Sequence, residues 1–234
     1  MKRGPTLFFS LRSPFSWLLV ERLLRLMPDA HERLDWVPYW EPDPRTAREL
    51  EARGAVQHYT PMSKAKHRYV LQDTKRLAGR LDLEIRWPVD AEPWWEPAHL
   101  GWLKARRLGK AADFYHAVVT ARWRRAEDIS DPRVIEALAQ SVGLDGDAIC
   151  GAVDDSEIRA EGVDALVDAY EDDIFGVPYL RLGWQRFWGY DRLDDFLAEY
   201  TRTVGRRDHP EEGIPDPVKG LVGAYDRDTA GGCG

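Results

Sequence analysis

The chain has 234 residues, of which 33 are Lys or Arg and 40 are Asp or Glu, so its formal net charge is −7. This acidic balance argues against nucleic acid as a partner, because a phosphate backbone is bound through a basic face. Hydrophobic residues make up 44% of the sequence and include 10 Trp, which is enough for a full core and excludes an intrinsically disordered chain.

The 2 cysteines, Cys150 and Cys233, exclude a disulfide framework and a four-cysteine zinc site. The 6 histidines show no metal-ligand spacing with each other or with cysteine, so no metal is expected. No signal-peptide pattern is present, and no apolar stretch reaches the roughly 20 residues that a membrane span needs. We therefore expect a soluble, cytoplasmic protein with no membrane partner.

The N-terminal part of the chain predicts a β-α-β unit. Thr6 to Leu11 is a compact apolar run typical of a buried strand. Ser13-Pro14 predicts a helix start, because Ser is a good N-cap and Pro is tolerated at the first helical position. That helix runs to Met27, and the aromatic segment from Leu34 to Trp40 predicts a second strand. This order favours a parallel pair of strands with a right-handed crossover.

The middle of the chain predicts a helical block, followed by a short return to strands. The helices are expected at residues 45–55, 63–81, 100–109, 111–124, 132–142, 145–153 and 157–170, with Trp94-Trp95 in a loop. Strands at 179–182 and 186–188 flank Gly183 as a hairpin. A last helix starts at an Asp191 N-cap and runs to Tyr200, and the Gly- and Pro-rich remainder predicts a poorly ordered tail.

This element order predicts an α/β fold in which an all-helical segment interrupts a sheet domain. The sheet domain is discontinuous and comprises residues 1–60 and 155–203. The helical insertion comprises residues 61–154, and the tail comprises residues 204–234.

The segment Ser13-Pro14-Phe15-Ser16 follows the first strand and opens the first helix. A helix N-terminus offers unpaired N–H groups and a positive dipole end, which stabilise an anion such as a thiolate. Redox proteins of the thioredoxin type have Cys-x-x-Cys at this place. Serine cannot exchange disulfides, but its hydroxyl can donate to a thiolate that another molecule supplies. The alternative is that Ser13 only caps the helix.

Two further segments, near the C-terminal end of the predicted sheet, are candidates for ligand contacts. The Val177–Pro178 bond at a strand start is either cis or an ordinary trans bond that ends a loop. In a thioredoxin-like arrangement this loop faces the first helix, and the Val177 backbone is free to pair with a peptide-like ligand. Asp191 is a helix cap, and the helix that it opens is also able to receive a ligand carboxylate.

Together these segments carry a family resemblance. SPFSWL near the N-terminus, WRRAEDISDP in the insertion, and FGVP followed by FWGYDRLDDF are similar to the family of 2-hydroxychromene-2-carboxylate isomerase and kappa-class glutathione transferase. That family belongs to the DsbA-like group of thioredoxin folds, and the resemblance spans roughly residues 6 to 202. It implies a thioredoxin-like sheet domain with a large all-helical insertion.

The resemblance implies roles for individual residues. Ser13 matches the catalytic serine that interacts with the thiol of glutathione, and Val177 matches the residue whose backbone pairs with the cysteinyl part. The remaining implied positions are Pro178, Lys66, Asp191 and Tyr190 for the cofactor, and Phe15, Trp94 and Trp123 for a substrate that is conjugated or aromatic. The alternative for Lys66 is a solvated helix lysine, and for Trp123 it is core packing.

The sequence departs from the family at the glutathione end of the site. Residues 53–61 stand where the family has a Gly-Asn-(x)-Pro-Pro stretch, and they contain no asparagine, so Gln57 or His58 is left as a substitute. Tyr190 replaces a small serine. The cofactor is therefore glutathione, a different small thiol, or no thiol at all.

The family reaction implies a cis–trans isomerase acting on a conjugated unsaturated carbonyl compound. A thiolate adds to the double bond, rotation becomes easy, and elimination restores the alkene in the other geometry. The alternatives are a glutathione transferase that conjugates a small electrophile and a non-catalytic DsbA-like binding or chaperone-like protein. A disulfide oxidoreductase is disfavoured because both cysteine places hold serine. The resemblance leaves a homodimer open.

Overall fold

A mixed four-stranded sheet forms the centre of the structure, a computed structural model that describes residues 4–58, 62–90 and 93–205. Its strands are β1 (Thr6–Phe9), β2 (Asp35–Pro38), β3 (Tyr179–Leu182) and β4 (Gln185–Trp188), in the order β2-β1-β3-β4. β1 pairs with β2 in parallel, whereas β3 is antiparallel to both β1 and β4. The predicted parallel pair and the predicted hairpin are thus both confirmed.

Helices make up most of the described chain. They are α1 (Pro14–Leu26), α2 (Ala30–Arg33), α3 (Pro44–Ala52), α4 (Lys64–Arg80), α5 (Glu96–Arg107), α6 (Ala111–Arg125), α7 (Pro132–Ser141), α8 (Gly146–Cys150), α9 (Ser156–Glu171) and α10 (Leu193–Gly205). Two short 3₁₀ turns occur at Gly151–Val153 and Tyr190–Arg192. Among the described residues, no helix is long and apolar enough to span a membrane.

Side-chain caps explain why most helix starts are predictable. The side chains of Ser13, Asp43, Ser63, Asp131, Asp145 and Asp155 each accept a hydrogen bond from an N–H of the helix that follows. Such a cap satisfies one of the N–H groups that the first turn leaves unpaired. Each cap is a short polar residue directly before a segment with a helical pattern of apolar residues, so a few neighbouring positions are enough to predict the helix start.

Several helices differ from those that the sequence predicts, among them α2, α5 and α8. α2 has only 4 residues and is too short to show a period. α5 begins at Glu96 rather than at residue 100, because Pro97 stands in the first turn, where no N–H is needed. Trp94 and Trp95 precede this helix, in the predicted loop, and Trp95 is buried there. The predicted helix at 145–153 is α8 followed by a 3₁₀ turn.

The helical block packs directly on the sheet through one aromatic cluster. The Phe9 ring meets the rings of Trp36, Trp102 and Tyr115 edge to face, at centroid distances of 5.5, 5.0 and 5.5 Å. These rings lie on β1, β2, α5 and α6, so β1 and the insertion helices share one core. The division into residues 1–60, 61–154 and 155–203 stays a prediction, and nearly all of the predicted tail at 204–234 lies outside the described residues.

Gly162 on α9 generates the first testable prediction. A Cβ at this position would lie 2.6 Å from Leu100 Cδ2 and 3.1 Å from Trp40 Cη2, and both side chains are fully buried. We expect Gly162→Ala to lower the free energy of unfolding by about 1 kcal/mol or more, because the overpacking outweighs the gain in helix propensity. Urea unfolding measures this difference.

Gly79 is the matched control, because it is also helical and a Cβ there meets nothing within 4 Å. Gly79→Ala should leave the stability unchanged or raise it by up to about 1 kcal/mol. Equal effects at the two positions would contradict the close packing of α9 against α5.

His31 generates a prediction about pH. Its ring stacks on Trp36 at 4.1 Å, and its Nε2 is buried with no hydrogen-bond partner in the described part of the chain. Burial, with a smaller effect of His116, lowers the pKa of His31 from 6.5 to about 4. Below pH 6.5, His31 therefore binds a proton in the unfolded chain but not in the folded one. The free energy of unfolding falls as the pH drops from 6.5 towards 4.

We expect His31→Phe to reduce this pH dependence, measured as the difference in free energy of unfolding between pH 7 and pH 5. Every other titrating group is common to both proteins, so the comparison isolates His31. The partial exposure of the ring keeps the effect below the limit of about 1.4 kcal/mol per pH unit. Identical pH profiles would refute the assignment.

Candidate functional site

Four segments of the chain meet at one edge of the sheet. β1 ends beside β2, where the Tyr39 N–H donates to the Phe9 carbonyl at 2.7 Å. Because Phe8 of β1 lies opposite Tyr179 of β3 in an antiparallel pair, the residues after β1 share an edge with those before β3. The Gly189 N–H after β4 donates to the Pro178 carbonyl at 3.0 Å. This edge therefore gathers the segments that carry Ser13, Val177 and Tyr190.

Ser13 caps α1, as predicted, and sits in a closed set of hydrogen bonds with two other serines. Its Oγ accepts from the Ser16 N–H at 3.2 Å, and its own N–H donates to the Ser10 carbonyl at 3.1 Å. The Ser16 Oγ in turn accepts from the Ser10 N–H at 3.2 Å. Ser16 is fully buried, whereas Ser13 is half-buried. Because the cap uses Ser13 Oγ only as an acceptor, its O–H can donate to a ligand.

The Val177–Pro178 peptide bond is cis, as one of the two predicted alternatives required. Val177 is half-buried and Pro178 is buried. Within residues 4–58, 62–90 and 93–205, nothing hydrogen-bonds to the Val177 N–H or carbonyl. A half-buried backbone with unpaired groups at the end of a sheet is able to pair with an extended ligand.

The segment after β4 differs from its prediction. Gly189 has φ = 96°, in the region that favours glycine, and leads into the 3₁₀ turn Tyr190–Arg192. The prediction that Asp191 caps the last helix is wrong, because Asp191 lies inside this turn and the turn has no side-chain cap. Asp191 is exposed. Tyr190 is buried with the Arg22 guanidinium 5.6 Å from its ring centroid, and burial raises the pKa of its phenol.

The other predicted residues lie on three helices and in the segment before α5. Trp123 on α6 is fully buried, stacks on Trp17 at 6.3 Å, and meets Trp87 edge to face at 5.4 Å, so it packs in the core. Phe15 is half-buried in the first turn of α1. Trp94 is half-buried and its Nε1 donates to Asp43 Oδ2 at 3.4 Å.

Lys66 is exposed in the first turn of α4. Its ammonium group makes neither an ion pair nor a hydrogen bond with any residue that the structure describes. Of the two candidates to replace the missing asparagine, Gln57 donates through its Nε2 to the Trp40 carbonyl at 2.6 Å, and the His58 ring stacks on Tyr170 at 5.5 Å. Residues 59–61 of that stretch lie outside the described chain.

Arg122 is a site residue that the sequence does not predict. Its side chain is 5% exposed, and the guanidinium makes two hydrogen bonds to Asp90, at 2.9 and 2.8 Å. It lies 5.1 and 4.8 Å from the ring centroids of Trp95 and Trp123, and its Nε donates to the Arg12 carbonyl at 3.4 Å. Arg122 thus ties α6 to the residue before Ser13.

His99 on α5 is the second unpredicted residue. It is fully buried, and its Nε2 lies 3.1 Å from the Leu11 nitrogen and 3.2 Å from Ser10 Oγ. Burial, helped by the nearby guanidinium groups of Arg12 and Arg122, lowers the pKa of His99 to about 3. The local signal for this residue is a histidine between Ala98 and Leu100, in the part of α5 that is buried from Glu96 to Leu103.

Two clefts elsewhere on the protein lie apart from this edge. One, of about 750 Å³, separates α9 from β1 and β2 and includes Thr6, Phe8 and Asp168. The other, of about 590 Å³, lies between α6 and α7. Neither is lined by Ser13, Val177 or Tyr190. In the described part of the chain, no three His, Cys, Asp or Glu residues are placed to hold a metal ion.

The sequence is similar to those of known proteins. Residues 6–201 match the family model of the DsbA-like thioredoxin domain. The 2-hydroxychromene-2-carboxylate isomerase of Sphingobium xenophagum is 31% identical over 200 residues, which cover 82% of this chain and 95% of that protein.

Solved structures show the same fold. A 2-hydroxychromene-2-carboxylate isomerase structure superposes with a TM-score of 0.68 at 24% identity, covering 87% of this chain and 97% of that one. A probable DsbA oxidoreductase from Streptomyces coelicolor superposes with a TM-score of 0.66 at 16% identity, covering 90% and 93%. The chain therefore belongs to the DsbA-like thioredoxin family and, within it, to the family of 2-hydroxychromene-2-carboxylate isomerase.

Proposed function

We propose that the protein is a cis–trans isomerase of a small conjugated, unsaturated carbonyl compound, working with a thiol cofactor. The observation that carries this proposal is the position of Ser13. A serine, rather than a cysteine, caps α1 at the sheet edge that also holds the cis Val177–Pro178 bond. The 31% identity to a protein named an isomerase supports an enzyme activity of this class.

The groups at this edge fit a thiol such as glutathione. The first turn of α1 presents a positive dipole end, the Ser13 hydroxyl is a donor, and the Val177 backbone is unpaired among the described residues. An anionic sulfur and an extended peptide-like chain are the ligand groups that such a set accepts. When bound, the thiol supplies a nucleophile that adds reversibly to a conjugated double bond and so permits rotation.

The protein's own residues stabilise negative charge at this place. The Ser13 hydroxyl donates a hydrogen bond to a sulfur anion, which favours the ionised form at neutral pH. The guanidinium groups of Arg12 and Arg122 lie beside the loop, but each is paired with a carboxylate, Glu41 and Asp90. The α1 N-terminus and the Ser13 hydroxyl therefore provide the larger share of the stabilisation.

The other predicted residues have charges and rings that suit the remaining ligand groups. Lys66 and Asp191 are both exposed and of opposite charge, so they suit the carboxylates and the ammonium group of glutathione. Phe15 and Trp94 are half-buried and offer ring faces to a flat substrate. Trp123 is fully buried, so its role would be to support the site through its packing on Trp17 and Arg122.

Ser13→Ala tests the thiol part of the proposal. We expect glutathione, or another small thiol in a panel, to raise the Tm of the wild-type protein. The Ala variant should bind that thiol about 10- to 100-fold more weakly, because a hydrogen bond to a charged group is worth about 1.5–3 kcal/mol. Thermal shift and calorimetric titration measure the two quantities.

Asp145→Ala is the matched control. Asp145 caps α8 as Ser13 caps α1, with its Oδ1 3.2 Å from the Ala148 backbone nitrogen, and no residue of α8 belongs to the proposed site. Both variants lose a cap and about 0.5–2 kcal/mol of stability, but only Ser13→Ala should lose thiol affinity. Equal thiol affinity in both variants would show that Ser13 is only a cap. If no thiol stabilises the wild-type protein, the proposal of a thiol cofactor is wrong.

Thiol stoichiometry separates an isomerase from a transferase. With cis-benzylideneacetone and a substoichiometric amount of the thiol that stabilises the protein, we expect many turnovers to the trans isomer and no loss of free thiol. Proton NMR follows the alkene, and a thiol-reactive dye follows the thiol. A transferase instead consumes one thiol per turnover and accumulates a coloured conjugate with chlorodinitrobenzene, an outcome that would replace the isomerase proposal.

A further inference from the structure

His99 joins the helical block to the loop that carries Ser13. Its Nε2 lies 3.1 Å from the Leu11 nitrogen and 3.2 Å from Ser10 Oγ, and its Nδ1 lies 2.7 Å from the Trp95 carbonyl. A backbone N–H can only donate, so Nε2 must carry a lone pair. A carbonyl can only accept, so Nδ1 must carry the proton. The two contacts fix the tautomer of a neutral ring.

This ring cannot exchange a proton with a substrate. Both nitrogens are engaged, the side chain is fully buried, and one ring face lies against Trp40 at a centroid distance of 5.2 Å. The guanidinium groups of Arg12 and Arg122 lie nearby and disfavour a second positive charge. Direct acid–base catalysis by His99 is therefore excluded by its surroundings.

The hydrogen bonds lead from His99 to the Ser13 hydroxyl in three steps. The His99 Nε2 accepts hydrogen bonds from the Leu11 N–H and the Ser10 hydroxyl. The Ser10 carbonyl accepts from the Ser13 N–H, and the Ser10 N–H donates to Ser16 Oγ. Ser16 N–H donates to Ser13 Oγ and so occupies the side of the hydroxyl that faces the helix.

We infer that His99 is a positioning residue, whose Nε2 lone pair sets the turn at Ser10 and Leu11 and thereby directs the Ser13 hydroxyl towards the ligand. Ser10 and Leu11 are both buried, so loss of this acceptor leaves two buried donors unpaired unless the loop rearranges. This role rests on the proposed function of Ser13. The loop geometry itself does not.

Glutamine and asparagine at position 99 separate this role from simple packing. A Gln side-chain oxygen reaches about the place of the imidazole Nε2 and can accept from Leu11. An Asn side-chain group reaches only the place of Nδ1, near the Trp95 carbonyl. Both substitutions remove the ring and its stacking on Trp40, so both should lower the Tm by similar amounts.

Amide hydrogen exchange of residues 10–16 and glutathione affinity are then measured on the wild type, His99→Gln and His99→Asn. We expect His99→Asn to speed exchange at Leu11 and Ser13 and to weaken glutathione binding, each by about tenfold or more. His99→Gln should stay within about threefold of the wild type. The pH titration of the bound thiolate absorbance at the ultraviolet edge should shift upwards only in the Asn variant.

Equal effects of Gln and Asn on exchange and on binding would overturn the inference, and so would faster loop exchange that leaves the bound thiol unchanged. If the wild type binds no thiol, the proposed function fails, while the exchange comparison still decides whether His99 sets the loop. Ser10→Ala covers the case in which His99→Asn does not fold. It removes one of the two donors to Nε2 and should give an intermediate increase in exchange at Leu11, whereas no increase would contradict the role.

Discussion

The antiparallel pairing of β1 with β3 is the constraint on which the rest of the site depends. It places the end of β1 and the start of β3 at one edge, so the cap of α1 and the cis peptide bond are neighbours although 164 positions separate Ser13 from Val177 (177 − 13). The register is held because Phe9 must point into the ring cluster of Trp36, Trp102 and Tyr115. A slip by one residue would turn Phe9 to the opposite face and move the loop with it.

The helical block contributes two buried polar contacts to the site. His99 holds the residues directly after β1, and Arg122 holds the Arg12 carbonyl. A buried guanidinium is expensive to desolvate, and the two hydrogen bonds to Asp90 offset that cost without making the pair a strong source of stability. These contacts instead position the loop before Ser13, because they hold it from α5 and α6 as well as from β1.

Local sequence signals predict most of the secondary structure, whereas the side-chain contacts between distant parts of the chain are not predicted. Capping residues such as Ser13 and Asp43 and the β-α-β order are encoded within a few positions, so the strands and most helix starts follow from the sequence. The buried contacts of His99 and Arg122 join residues 88 and 110 positions apart, and no spacing rule reports them. Asp191 shows how a local signal can mislead. Aspartate is a common cap residue, but here it lies inside the 3₁₀ turn that follows Gly189 and so does not cap α10.

The hydrogen bonding of Ser16 explains why serine suits this loop better than cysteine does. Its hydroxyl is fully buried and accepts from the N–H of Ser10, which is itself buried. Sulfur is a weaker acceptor than oxygen and needs a longer contact, so cysteine at this place would loosen the same set of hydrogen bonds that holds Ser13. The loop thus depends on serine at position 16 for its shape, and serine at position 13 adds a hydroxyl donor at the N-terminus of α1. A helix end arranged in this way is suited to an anion that arrives with a ligand, as the proposed reversible addition requires.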